Sequence, residues 1–163
     1  MKDIKEWFPN IDVLNQIGKD KKDEKKKTDF IVEKDFMIDD YRCVVVGQRH
    51  GHRCGYVGLP KYHPMNGADY DDIDINVHGG LTYSENTHKT RYGEEYPVAD
   101  ERYWLGFDCA HYMDKRDPDL MAKFENPPEI HIPMFDDEGS IKDMDFVSDE
   151  LAYMVEQLKE LEG

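Results

Sequence analysis

The sequence predicts an α+β fold: an antiparallel sheet packed against a C-terminal helix, with a short helix at the N-terminus. Three observations predict it. Short runs of β-branched and aromatic residues separated by turn residues extend from Phe30 to Cys109, and one long amphipathic segment closes the chain. The regular helix-strand alternation that a parallel sheet needs is missing. At 163 residues the chain is long enough for one hydrophobic core and not obviously for two, so a single domain over 1–163 is expected.

Taken in order, Ile4, Trp7, Phe8, Ile11, Leu14 and Ile17 recur at helical spacing around Pro9 and stop at Gly18, which predicts the short N-terminal helix over 1–18. Residues 19–28 are a lysine-rich, mixed-charge run with nothing to bury, expected as a solvated loop. Phe30-Ile31-Val32 and Phe36-Met37-Ile38 read as strands, and Asp39-Asp40 as a turn leading into a further strand from Tyr41 to Val46. A polar turn over 48–53 precedes an extended Cys54–Leu59 stopped by Pro60. Two short strands are expected around Gly79-Gly80 within 73–83, and another from Tyr103 to Cys109. A helical turn is expected at 119–124, among connections marked by Pro118, Pro127, Pro128 and Pro133. From Asp145 to Glu162, Leu151, Met154, Val155, Leu158 and Leu161 share one helical face, with Ser148 as the expected cap.

Composition narrows function. The formal net charge is −15, which excludes ordinary nucleic-acid binding because phosphate contacts need a basic footprint. A basic protein partner fits better, and attraction of this sign would speed its encounter. No stretch reaches the roughly 20 apolar residues that span a bilayer, and the N-terminus lacks a basic-then-apolar leader, so a cytoplasmic protein with no membrane partner is expected. Three cysteines, Cys43, Cys54 and Cys109, are an odd number in a long chain and are expected to be reduced thiols.

The chemistry concentrates in Tyr103-Trp104-Leu105-Gly106-Phe107-Asp108-Cys109-Ala110-His111. If this run is extended, Cys109 and His111 point the same way, and a thiolate and an imidazole so placed can both reach one zinc ion. His78 is the first choice of further ligand, because it stands before a glycine pair that lets the backbone turn tightly. His63, between Pro60 and Pro64, is the second. His63, His78, Cys109 and His111 together would make a closed structural zinc site, and a water in one position would make it catalytic in type. Asp108 and Asp114 are placed to orient an imidazole, and Asp108 to act as general base in an enzyme. His50-Gly51-His52-Arg53-Cys54 is the rival cluster, ranked second because its arginines would repel a cation. Taken singly, each histidine is more often an ordinary hydrogen-bonded residue and Cys109 more often core filler.

The acidic run Asp69, Asp71, Asp72, Asp74 lacks the glycine and terminal glutamate of a calcium loop and reads as solvated. There is no phosphate-binding Gly-Lys loop, no Gly-x-Ser-x-Gly elbow and no Cys-x-x-Cys.

Gly55-Tyr56-Val57-Gly58-Leu59-Pro60 with His63-Pro64, Val77-His78-Gly79-Gly80-Leu81-Thr82-Tyr83, and Gly106-Phe107-Asp108-Cys109-Ala110-His111 resemble the blocks of a family of small phage and prophage proteins. The resemblance covers residues 54–114 and leaves out the N-terminal region and the C-terminal helix. With its acidity and expected zinc, the chain is also similar to zinc-containing anti-CRISPR proteins that inhibit Cas9. That similarity implies counter-defence in a host bacterial cell: binding a basic nuclease and blocking nucleic-acid loading, without turnover. The alternatives are a metal-dependent hydrolase of a nucleotide or phosphoester, and a pocket that sequesters a nucleotide signal. Nothing in the sequence sets the oligomeric state.

Overall fold

Phe30–Ile38 (β1) and Tyr41–Gln48 (β2) form an antiparallel hairpin that turns at Asp39-Asp40, where Asp39 takes a left-handed φ of 49° that aspartate tolerates. The two apolar runs 30–32 and 36–38 are one continuous strand. The register slips between Val32 and Lys34, so Glu33 is an extra residue in a bulge. Arg53–Gly58 (β3) pairs with β2, and Trp104–Asp108 (β5) pairs both with β3 and with the short Tyr83–Glu85 (β4). The result is a five-stranded antiparallel sheet in the order β1-β2-β3-β5-β4. The computed structural model describes residue 25 and residues 29–85, 102–125 and 139–163. The expected N-terminal helix over 1–18 and nearly all of the charged run 19–28 lie outside them, as do Pro127, Pro128 and Pro133.

Side chains alternate across the sheet as the strand period requires. Tyr41, Cys43, Val45, Val57, Leu105, Phe107 and Cys109 join the core under the C-terminal helix, whereas Val44, Val46 and Trp104 form a second cluster with Phe30, Tyr56 and Tyr83. The helix is Met144–Glu160 (α2), and it buries Val147, Ser148, Leu151, Met154, Val155 and Leu158. Gly55 lets it sit close: a Cβ there would come within 2.6 Å of the Phe107 ring and 3.0 Å of Leu151. Ser148 is not the cap. Asp143 is, accepting the Phe146 N–H at 2.8 Å, while the Ser148 hydroxyl donates to the Met144 carbonyl one turn back.

Among the described residues the remaining elements are a 3₁₀ turn at Tyr70–Asp72, Pro118–Met121 (α1) capped by Asp117, and a two-residue parallel pairing of Asp114–Lys115 (β6) with Ser140–Ile141 (β7). The helical turn expected at 119–124 therefore begins one residue earlier, at Pro118. Residues 73–77 are not a strand. Their backbone is held by a helix side chain instead: Gln157 accepts from the Asn76 N–H and donates to the Asn76 carbonyl, both at 2.6 Å. Among the described residues no helix is long and apolar enough to cross a membrane.

Candidate functional site

The expected Cys109/His111 strand face is not what forms. β5 ends at Asp108, where Asp108 Oδ1 accepts the Ala110 N–H at 3.1 Å and its Oδ2 accepts the Thr82 hydroxyl at 3.2 Å. Beyond it the chain turns, with Met113 at a φ of 73° and the Asp114 N–H bonded to the His111 carbonyl. Cys109 keeps the alternation and is buried, but His111 stands on the exposed turn. Burial pushes the Cys109 thiol well above its ordinary value, and the carboxylates of Asp114 and Asp108 push it further, so the group is a neutral thiol.

The turn delivers Asp114 into the protein, with its side chain 1% exposed. His78 Nε2 lies 2.9 Å from each Asp114 oxygen, the His111 backbone N–H donates at 3.1 Å, and Lys142 Nζ is 3.4 Å away. Burial alone would raise this carboxyl's pKa. The hydrogen bonds from His78 and the His111 backbone, with those charges, outweigh it and hold the group below its ordinary value. An ionised Asp114 accepts only, so His78 Nε2 carries the proton it donates to that carboxylate. Nδ1 has no hydrogen-bond partner among the described residues.

His78 is aimed by two contacts and a turn. Glu150 of α2 accepts its backbone N–H at 3.2 Å, and Phe146 meets its ring edge-on at 5.2 Å between centroids. Gly79 and Gly80 then turn the chain with φ of 71° and 81°. The glycine at 79 is also required sterically, because a Cβ there would sit 2.3 Å from His111 Nε2. His111 thus packs against the His78-Gly79 backbone, its ring centroid 6.1 Å from that of His78, its Nε2 3.2 Å from Asp108 Oδ1, and its side chain 38% exposed.

The rival cluster turns out to be a neighbour rather than a competitor. His52 hydrogen-bonds the Cys109 backbone, feels the charges of both Asp108 and Asp114, and meets the His50 ring at a tilt, with centroids 5.3 Å apart. Burial lowers the pKa of His50 and of His52, so both favour the neutral imidazole. His52 Nδ1 is buried without a hydrogen-bond partner. The expected repulsion from Arg53 does not operate. Its charge is answered by Glu33 at 2.6 Å, presented by the β1 bulge, and by Asp117 at 2.9 Å.

Of the four expected ligands, His78, Cys109 and His111 come to one end of the sheet, and His63 does not. His63 Nε2 donates to the Leu158 carbonyl at 2.7 Å and Nδ1 accepts the Met65 N–H at 3.0 Å, so both ring nitrogens are used. Leu158 and Phe146 are separated by twelve helical residues, roughly 18 Å, which puts His63 and His78 at opposite ends of α2. Among the described residues no three His, Cys, Asp or Glu side chains are already arranged to hold one metal ion. What the arrangement offers is an oriented imidazole, His78, beside an ionised carboxylate, with the neutral rings of His50 and His52 at the same end of the sheet. Comparison with protein-family models, with curated proteins and with solved structures finds no match.

Proposed function

We propose that this protein acts by binding, as an acidic inhibitor that docks on a basic, nucleic-acid-binding partner protein and keeps nucleic acid off it. The observation that supports this most is the continuity of an acidic surface across two elements. On α2, Asp145, Asp149, Glu156 and Glu160 are exposed, and the helix's one basic residue, Lys159, is paired with Asp39. Gln157 and Glu150 bind the backbone of Asn76 and His78, so the segment following the exposed Asp69, Asp71, Asp72 and Asp74 lies against this same helix. Tyr153, 46% exposed among the carboxylates, supplies an aromatic anchor of the kind that carries interface energy. The resemblance to phage proteins makes a bacterial CRISPR effector nuclease of the Cas9 type the partner to test, in the host cytoplasm.

Binding of the purified nuclease, measured at low and high salt with guide RNA as competitor, tests it. Affinity is expected to fall about tenfold or more as salt screens the charges, and the paired reversal Asp149→Lys/Glu156→Lys to weaken it by about as much. Absence of binding at every salt concentration, or binding that guide RNA leaves untouched, contradicts the proposal.

A second reading, a metal-dependent phosphoester hydrolase, is favoured by the buried carboxylate behind His78. In it Asp108 is the base, and Asp108→Asn should abolish turnover of a generic phosphodiester with metal retained.

A further inference from the structure

The turn that follows β5 is built against the preferences of its backbone. Met113 takes a φ of 73°, the left-handed region that a side chain of its size seldom enters. The conformation is nonetheless held firmly. The Asp114 N–H donates to the His111 carbonyl at 2.9 Å and the His111 N–H to the buried Asp114 carboxylate at 3.1 Å, which closes the turn on itself. The Met113 carbonyl in turn accepts the Ser140 N–H at 3.1 Å and a longer bond from Lys142 Nζ at 3.4 Å. Gly139 permits that approach, because a Cβ there would overlap the Met113 carbonyl.

What the turn displays is apolar. Tyr112 is 79% exposed, Met113 46%, and Ile141, on the strand paired beside the turn, 39%; they are three of the seven large hydrophobic side chains exposed among the described residues. A strained backbone supported so as to hold apolar side chains in water adds nothing to the core. It prepares a contact, since the ordering is done before binding, and tyrosine and methionine are among the types enriched at protein interfaces.

We propose that Tyr112 and Met113, with Ile141 beside them, are a preorganised anchor that enters an apolar pocket on a basic protein surface. The anchor rests on the reading that this protein acts by binding, and it adds the unscreened contact that an acidic face alone lacks. Charge selects the occupant. Two copies of a chain carrying −15 repel each other, which disfavours self-association through this turn. The anchor also adjoins the acidic face: Lys142, which reaches the Met113 carbonyl, is followed directly by the exposed Asp143 and Asp145 at the start of α2, and its own charge is answered by Asp114. A pocket that takes the anchor therefore meets carboxylates at its edge, and a basic rim complements them.

Binding of the purified Cas9-type nuclease at low and high salt, with Tyr112→Ala, Met113→Gly and Asp149→Lys/Glu156→Lys measured side by side, tests the anchor. Tyr112→Ala should weaken binding about tenfold or more, by the same factor at both salts, whereas the loss in the acidic reversal should shrink as salt rises. Met113→Gly separates anchoring from folding. Glycine relieves the positive φ, so its melting temperature should equal or exceed the parent's while affinity falls about tenfold; a purely structural role would lower both together. Met37→Ala, 52% exposed on β1, should bind as the parent does. If the parent binds and either Tyr112→Ala or Met113→Gly keeps its affinity, the anchor is overturned and the acidic face stands. If the parent does not bind, both fall.

Discussion

Two polar clusters lie side by side at one end of the sheet, and they are solved differently. In the first, Arg53 is buried with Glu33 on two of its nitrogens and with Asp117 and the Lys142 carbonyl on a third. Its charges are answered from several elements at once, and nothing in it is left for another molecule. In the second, reached through the same Lys142, three histidines each keep a ring nitrogen that no described residue engages. A closed network fastens a fold, whereas a half-satisfied one is the signature of a site.

The sharpest way to break this contrast is Arg53→Ala. It strands two buried carboxylates, and should cost about 3–5 kcal/mol in urea unfolding; a loss below about 1 kcal/mol would mean the network is ornamental. Gly79→Ala comes next. Its Cβ collides with His111 and its positive φ strains an alanine, so about 1–2 kcal/mol should be lost in urea unfolding. An unchanged stability would mean that His111 does not pack on this glycine. On the outer face of α2, Asp149→Lys should change stability by no more than about 0.5 kcal/mol while weakening the nuclease complex, as expected of a residue that packs on nothing. The mildest probe is a thiol label. Burial pushes Cys43 up to about 12 and lifts Cys109 higher still, so alkylating reagent near pH 8 should modify neither until the protein unfolds. Rapid labelling of the native protein would show that the core opens.

The sheet and the C-terminal helix were legible because they rest on periodicity: the alternation of Tyr41, Cys43 and Val45 against Val44 and Val46 assigns sheet faces without tertiary information. The irregular parts were not. Residues 73–77 alternate like a strand, yet Gln157, some eighty residues later, supplies their hydrogen bonds. The site was half legible. The glycine pair after His78 marked a place of close approach, and the approaching group is His111. The cluster around His52 ranks second in the sequence because its arginines look repulsive in one dimension; the bulge that brings Glu33 onto Arg53 answers that charge, while Arg116 still bears on His52. His63 looked equivalent to His78 because spacing cannot show that both of its nitrogens close hydrogen bonds within the fold.

The division between satisfied and half-satisfied histidines is tested most directly by ring-nitrogen NMR of the uniformly labelled protein. The account predicts His63 fixed as the Nε2–H tautomer with both ring nitrogens hydrogen-bonded, His78 with its Nε2–H donated to Asp114, and His52 with an Nδ1 that no protein group engages. A mixture of tautomers at His63, or a hydrogen-bonded Nδ1 at His52, would contradict it.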